Sequence, residues 1–331
     1  MTPLPDQITG ERIDRLMTVE IRPLSGGLPP GYVVPMYSVC RAYHGEPLSS
    51  LAARRLRETL AKDDVVFIAT GAGTPPKLPN GETDGPVGAA VLARALMLGF
   101  GVRTVMVTED AHAAPVDAVA RVVSDELTGH PPITTECFPL GLPCGQQFAD
   151  ELMEKYRPRV VIFVERDGPN REGFFHGVRG DCRHPDDVGH VYLLADLARK
   201  AGALTIGIGD GGNEVGFGAV RDEITAAHPY GGRSHAGHPS GVVTITATDV
   251  VVSASVSNWG AYGVAAALAS QMNQPDLLHS QCTEHALIQA TVNAGARDGA
   301  TSKAEVAVDG IEWQGHTAFV GLLRSIVSIS R

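Results

Sequence analysis

Residues 206–218 read Ile-Gly-Ile-Gly-Asp210-Gly211-Gly212-Asn213-Glu214-Val-Gly-Phe-Gly, placing two carboxylates and an amide in one glycine-dense turn. Glycine permits positive φ and lets a ligand approach the backbone closely. The apolar run at 204–208 predicts a buried strand, so Asp210 leaves its carboxyl end. Glu214 then lies about one helical turn further on, facing the same cleft if a helix starts there. In open α/β sheets that cleft is where ligands bind. The plainer reading is a strand-to-helix turn whose Asp and Asn only cap a helix. A second loop repeats the pattern. An apolar strand at 65–70 runs into Gly71-Ala-Gly73-Thr74-Pro-Pro-Lys77, then Glu82-Thr83-Asp84-Gly85-Pro86, and a helix follows over 87–98. The backbone N–H groups of such loops form anion-holding nests, and helix N-termini add to the effect. Glu82 and Asp84 also suit a role as acids that stabilise a helix dipole. Two such loops in one chain favour a shared acidic site.

Four loops converge in a doubly wound sheet: 71–86, 165–181, 209–216 and 257–260. They carry Glu82, Asp84, Glu165, Arg166, Arg179, Asp181, Asp210, Asn213, Glu214, Ser257 and Asn258. Oxygen donors of this kind suit Mg²⁺ or Mn²⁺ better than zinc. Arginine forks suit carboxylates or phosphates, although arginines and acids also pair with each other structurally. His176 is an acid–base candidate. His228, His235 and His238 lie in a Gly/Pro-rich stretch whose spacing is not that of a helical zinc pair, and they read as a surface loop. Residues 207–212 do not spell G-x-G-x-x-G, and neither a P-loop nor a G-x-S-x-G elbow occurs, so no nucleotide cofactor is expected.

The positioning elements follow from periodicity. Helices are expected at 8–18, 47–62, 87–98, 115–127, 146–156, 188–200, 258–272, 284–294 and 317–329, with Ser257 as a candidate N-cap. Strands are expected at 65–70, 102–107, 133–138, 159–164 and 204–208, with one or two more within 241–252. Apolar strands alternating with helices predict an α/β fold: a doubly wound, mainly parallel sheet with helices on both faces. Residues 1–44 read as an N-terminal arm and 45–331 as a single α/β domain. The stretch 167–187 lacks periodicity and is longer than a usual connector, as an active-site lid would be.

At 331 residues the chain is long enough for a large core. Its net charge of −10 argues against nucleic-acid or anionic-membrane surfaces. Five cysteines without a C-x-x-C disfavour a disulfide framework or zinc ribbon, and each is expected as a small buried side chain. With no signal-like N-terminus and no apolar run of membrane-spanning length, a cytoplasmic protein is expected. A homo-oligomer is compatible with the arm.

Several motifs, in order, resemble the signatures of the D-glutamate cyclase family, in its C-terminal-type domain. They are Glu82-Thr-Asp-Gly-Pro-Val-Gly-Ala-Ala, the 207–218 stretch, Ser257-Asn-Trp-Gly260, Glu165-Arg166, Val178-Arg179-Gly180, Ala294-Gly-Ala-Arg-Asp-Gly299 and Val308-Asp-Gly310. The resemblance spans roughly residues 45 to 325. Phe175-His176-Gly177 and the following 181–184 stretch depart from the family pattern, where substrate would be covered. The resemblance implies a lyase that converts D-glutamate, or a related amino acid, to the lactam 5-oxo-D-proline with loss of water. The chemistry suits the residues. Glu82, Asp210, Glu214 and Asn213 are the catalytic candidates. Glu82, Asp84, Glu165, Asp210 and Glu214 are candidate ligands for a divalent Mg²⁺ or Mn²⁺. Arg166, Arg179, Thr83, Gly211, Gly212, Ser257 and Asn258 are candidates to bind a small acidic, amino-acid-like substrate. Two other readings fit the same loops: a metal-dependent phosphatase or phosphoryl-transfer enzyme, and a non-catalytic binding protein for a small acidic metabolite.

Overall fold

Five of the six strands of the central sheet begin and end within one or two residues of where the apolar runs predict them. The structure is a computed structural model that describes residues 6–23, 28–178, 180–235, 237 and 240–330. Three helices come first: α1 (Asp6–Met17), α2 (Val33–His44) and α3 (Leu48–Thr59). Then β1 (Val65–Thr70), α4 (Pro86–Phe100), β2 (Arg103–Glu109), α5 (Ala113–Glu126), β3 (Thr134–Phe138), α6 (Leu142–Tyr156) and β4 (Val160–Val164) alternate. A two-stranded hairpin, β5 (Phe175–His176) and β6 (Cys182–Arg183), leads to α7 (Leu193–Lys200) and β7 (Leu204–Gly209). The chain finishes through α8 (Arg221–Ala227), β8 (Val250–Ser253), α9 (Ser257–Gln271), α10 (Gln281–Asn293), the hairpin β9 (Ala307–Val308) and β10 (Ile311–Glu312), and α11 (Trp313–Ile329).

The large sheet has the order β3-β2-β1-β4-β7-β8, and every pairing in it is parallel. Ile68 of β1 lies between Met106 of β2 and Ile162 of β4. Side chains alternate between two cores, as a period of two requires. Val66, Ile68 and Ile162 face a core built with α3, α4, α5 and α9. Phe67, Ala69 and Phe163 face a second core with α6 and α7. Both faces are therefore covered and the sheet is doubly wound. The strand order reverses between β1 and β4, and this opens a crevice at the carboxyl ends of the strands.

Helices α4 and α9 are buried on nearly every side and pack against each other. Their N-termini come very close. A Cβ at Gly88 would lie 2.8 Å from Asn258 Oδ1 and 2.9 Å from its Cα, so only glycine permits the approach. The two ends cap each other. Asp84, ahead of α4, accepts the N–H groups of Ser257 (2.9 Å) and Asn258 (2.8 Å) at the start of α9. Asn258 Oδ1 in turn accepts the N–H groups of Gly85 (3.0 Å) and Gly88 (2.6 Å) at the start of α4. Both sets of end N–H donors are thereby satisfied by a side chain from the other loop.

The structure corrects several local expectations. No helix begins at Glu214; the next one, α8, starts at Arg221. Ser257 is not the N-cap of α9, because Asp84 already takes its end N–H groups. Of the one or two strands expected within 241–252, one forms, β8, and it starts only at Val250. Helix α7 starts at Leu193, later than expected, because the preceding residues are held in tight turns: Val191 N donates to Gly189 O, Leu193 N to His190 O and Leu194 N to Val191 O. Of the cysteines only Cys40 is buried; Cys137, Cys144 and Cys282 are exposed. His228 is buried, not solvated. The segment expected as an arm contains α2, which its Pro35 does not prevent, because proline is tolerated in a first helical turn. Helix α1 packs against α3, α9 and α11. Within the 167–187 stretch the hairpin β5–β6 forms.

Candidate active site

A cavity of about 110 Å³ opens at the crevice between β1 and β4. Its walls come from the loop after β1, the turn after β4, the turn after β7, the β5–β6 hairpin, the β9–β10 turn and the segment between α1 and α2. Glu82, Asp84, Glu165, Asp210 and Asn213 all line it. So do Asp167, His176, Asp309, Lys77 and Arg22.

The backbone turns the acids inward. Glu165 follows β4 directly and takes φ of 47°, a left-handed conformation that is costly for a residue with a side chain. Its N–H donates to Ile208 O at 3.1 Å, and its Oε2 accepts a short hydrogen bond from Ser257 Oγ. Asp309 also has positive φ, 53°, at the β9–β10 turn. Glu82 reaches over Gly299, where a Cβ would fall 2.1 Å from Glu82 Oε2. Glu214 folds back under its own turn. Its Oε1 accepts the N–H groups of Asp210 (3.0 Å) and Gly211 (2.8 Å). Its Oε2 is buried and has no partner among the described residues, and the same is true of Asn213 Oδ1.

The two anion nests expected from the sequence are thus filled by the chain's own side chains. Glu214 takes the one after β7, and Asn258 takes the one at the start of α4. A phosphate would have to displace them, and it would enter among carboxylates. This weighs against phosphoryl transfer.

One arginine stands inside the acidic group. Arg22 donates from Nη2 to Asp210 Oδ2 at 2.7 Å and from Nη1 to Asp309 Oδ2 at 2.8 Å. It also donates to the Tyr32 hydroxyl, at 2.8 Å, which donates in turn to Asp210 O at 3.0 Å. One guanidinium does not balance the site. Burial, with Asp309, Asp84, Asp298 and Glu214 nearby, pushes the Glu82 carboxyl well above its ordinary range. Burial and the neighbouring Glu214 and Asp210 do the same to Glu165. Burial raises Asp210 well above its usual value despite Arg22. Burial also raises Asp309. Asp84 is pushed up to about 8 by burial and Asp309, against the pull of its hydrogen bonds from Asn258 and Ser257. A set of crowded, desolvated carboxylates with orphaned oxygens is what a bound cation would relieve. Two trios have carboxylate oxygens close enough to share one ion: Asp84, Asp210 and Asp309, and Glu165, Asp210 and Glu214.

Other expected residues lie outside the cavity wall. Thr83 Oγ1 donates to Ala307 O at 2.8 Å and ties the loop after β1 to β9. Gly211 and Gly212 form the turn beneath the cavity, with Gly212 at φ of 86°. Ser257 and Asn258 are committed to Glu165 and to the crossed caps. Arg166 points away. It donates to Gly71 O at 2.5 Å, to Gly189 O at 3.0 Å and, by a short bond, to Glu109. Arg179 lies outside the described residues. His176 lines the cavity and hydrogen-bonds Asn170 through Nε2 at 3.1 Å.

Arg22, Tyr32, Lys77, Asp167 and Asp309 escaped the sequence reading as site residues. Arg22 sits in a proline-rich stretch with no periodicity, and nothing local marks it. Asp309 carried one signal, a Val-Asp-Gly turn that resembles a family signature, but a turn of that type needs no function.

The chain matches the family described as D-glutamate cyclase-like, C-terminal, over residues 45–324. It is also similar to D-glutamate cyclase, mitochondrial, of Homo sapiens, at 31% identity over 217 residues. That match covers 61% of this chain and 32% of the relative, so the chain corresponds to about a third of that protein's length. Arg22 and Tyr32 lie ahead of the family-matched segment.

Proposed function

Because this chain belongs to the D-glutamate cyclase-like, C-terminal family, we propose that it is a lyase that closes glutamate, or a close relative of it, into a five-membered lactam with loss of water. The observation that carries the reading is the crevice itself. Carboxylates from three strand ends and a distant hairpin converge on one small cavity with, among the described residues, a single internal arginine.

The reaction joins the α-nitrogen to the distal carboxyl carbon and breaks one carbon–oxygen bond there. The nitrogen gives up two protons in passing from ammonium to amide, and the departing oxygen takes up two to leave as water. The protein's task is to hold the folded-back conformer and to move those protons. Glu82 is the proton carrier best placed for this. It lines the cavity, is only partly exposed, and accepts no hydrogen bond among the described residues that would fix its charge. Burial and the surrounding carboxylates raise its pKa and so favour its protonated form. Among the described residues two cations face the cavity; Arg22 is engaged by Asp210 and Asp309, and Lys77 is the one suited to a substrate carboxylate. The β5–β6 hairpin contributes His176 to the cavity wall.

The donor set fits a hard divalent ion such as Mg²⁺ or Mn²⁺, held by Asp210 with Glu165 and Glu214 or with Asp84 and Asp309. Such an ion would neutralise the distal carboxylate and stabilise the developing oxyanion.

The test is a product assay. The purified protein is incubated with D-glutamate or L-glutamate in EDTA, Mg²⁺ or Mn²⁺, and mass spectrometry looks for loss of one water. Formation of 5-oxoproline from one enantiomer is the expected result. Absence of the lactam from both enantiomers under every condition would refute the reading for glutamate.

A further inference from the structure

We infer that Arg22 is a permanent internal counter-cation that divides the acidic cluster in two, neutralising the Asp210–Asp309 side and leaving Glu165, Asp210 and Glu214 as a single divalent-cation site. The inference rests on the proposed reading only for the expectation that the crevice takes a metal. It assigns which carboxylates hold the ion and how many ions fit.

The two trios that can surround an ion share Asp210 and differ in everything else. In the first, the Oδ2 atoms of Asp210 and Asp309 both accept from the Arg22 guanidinium, at 2.7 and 2.8 Å. The third member, Asp84, has both oxygens engaged. Oδ1 accepts from Gly85 and Asn258, and Oδ2 accepts from Ser257. That trio already has a cation and three backbone donors. In the second trio Arg22 reaches only Asp210, Glu214 Oε1 accepts the N–H groups of Asp210 and Gly211, and Glu165 Oε2 accepts from Ser257, which leaves Glu214 with one oxygen over. Glu214 is 1% exposed, and its Oε2 has no partner among the described residues. Beside it Asn213 Oδ1, on a residue 5% exposed that lines the cavity, is also unsatisfied. A buried carboxylate oxygen left without a donor is expensive, and a hard cation is the ligand that satisfies it. An amide oxygen is an ordinary additional ligand for such an ion.

Arg22 is held in place by more than its charge partners. Tyr32, at the start of α2, accepts from it and donates to Asp210 O, so the segment is latched to the turn after β7. Both residues precede the family-matched region.

The experiment is a Mn²⁺ titration of the chelator-stripped full chain, followed by the electron paramagnetic resonance of free Mn²⁺. Circular dichroism and thermal unfolding check each variant. The wild type is expected to bind one ion per chain. Arg22→Gln should bind two, because the Asp84–Asp210–Asp309 trio is then uncompensated, and Arg22→Lys should return to one. In the chain with Arg22 intact, Glu214→Gln should weaken binding by at least about tenfold, while Asp309→Asn should change it by much less. These last two variants keep the test decisive if Arg22→Gln does not fold. Two ions in the wild type, one ion in folded Arg22→Gln, loss of binding in Asp309→Asn with retention in Glu214→Gln, or no Mn²⁺ bound at all would each overturn the inference. Turnover does not enter. A chain that binds Mn²⁺ in the expected pattern but forms no lactam refutes the cyclase reading alone. A chain that forms lactam in EDTA and binds no Mn²⁺ refutes only the inference.

Discussion

Glu109 at the end of β2 and Asp210 just beyond the end of β7 are both buried carboxylates at the carboxyl edge of one sheet, yet their surroundings leave them in opposite states. Glu109 is wedged between Arg166 and Arg183, with Arg183 Nη2 at 2.8 Å. Burial pushes its carboxyl up, but the two arginines overcome this and hold it at about 2. Asp210 shares one arginine with Asp309 and faces Glu214 and Asp84, and its carboxyl is driven well above the usual range. In the first cluster both oxygens of Glu109 are taken by arginines, although Arg166 Nε and Arg183 Nη1 have no hydrogen-bond partner among the described residues. This cluster fastens the β5–β6 hairpin, through Arg183, to the end of β2. The second has more acid than base and orphaned oxygens. A structural charge network closes on itself, whereas a binding site is left open to its ligand, and the two lie side by side here.

The largest effect should come from breaking the closed cluster. Glu109→Gln leaves Arg166 and Arg183 buried with no anion between them, and removal of one partner from a buried pair costs about 3–5 kcal/mol. Urea unfolding should show a loss of that order. A loss under about 1 kcal/mol would mean that the cluster is not the internal lock described here. The matching change in the open cluster should act on chemistry instead. Asp210→Asn should lower turnover by about a thousandfold or more, equivalent to roughly 4 kcal/mol of barrier, with the fold intact. Turnover near that of the wild type would remove Asp210 from the mechanism.

The contrast also explains what could be read from the chain. The strands at 65–70 and 204–209 were legible because a parallel sheet covered on both faces demands continuous apolar runs. Glu82, Asp84 and Asp210 were legible because acids beside glycines at strand ends are unusual. Arg166 was singled out because it follows a strand end, and it faces Glu109 at the end of β2, across β1. Sequence cannot say to which side of a strand end a charged side chain turns. Arg22 and Asp309 were hidden for a different reason. Each enters the cavity from a segment remote in sequence, 188 positions from Asp210 in the case of Arg22, and local pattern carries no trace of that pairing. Glu214 was found for a partly mistaken reason. The expected helix is absent, and it reaches the cluster by folding back onto the N–H groups of Asp210 and Gly211.

The two clusters should pull stability in opposite directions as pH changes. Glu109 has a folded value below its unfolded one, so its contribution is present above about pH 4.5 and is lost as pH falls toward 2. Asp84, held at about 8, together with the raised Glu82, Glu165 and Asp210, does the reverse. These groups keep protons that the unfolded chain releases, so their contribution is full below about pH 4 and is lost as pH rises, through about 8 in the case of Asp84. In EDTA the unfolding temperature should therefore fall between pH 5 and 8 by several degrees. Mn²⁺, which competes with those protons, should raise it most at pH 8. A temperature that climbs from pH 5 to 8 in EDTA would contradict the open-cluster description.

The smallest effect belongs to a charge that is part of neither cluster. Lys77 lines the cavity and pairs with Asp181 of the β5–β6 connection at 2.8 Å, with both side chains about half exposed. An exposed pair of this kind is worth less than about 1 kcal/mol, so Lys77→Ala should leave stability nearly unchanged. Its charge still matters to an anionic substrate approaching a mouth lined by acids. KM should rise severalfold, the difference should shrink as salt is added, and kcat should hold. A fall in kcat with KM unchanged would move Lys77 from the approach to the reaction itself. The open cluster would then have a second cation in contact with the reacting atoms, and the asymmetry with the Glu109 cluster would be correspondingly smaller.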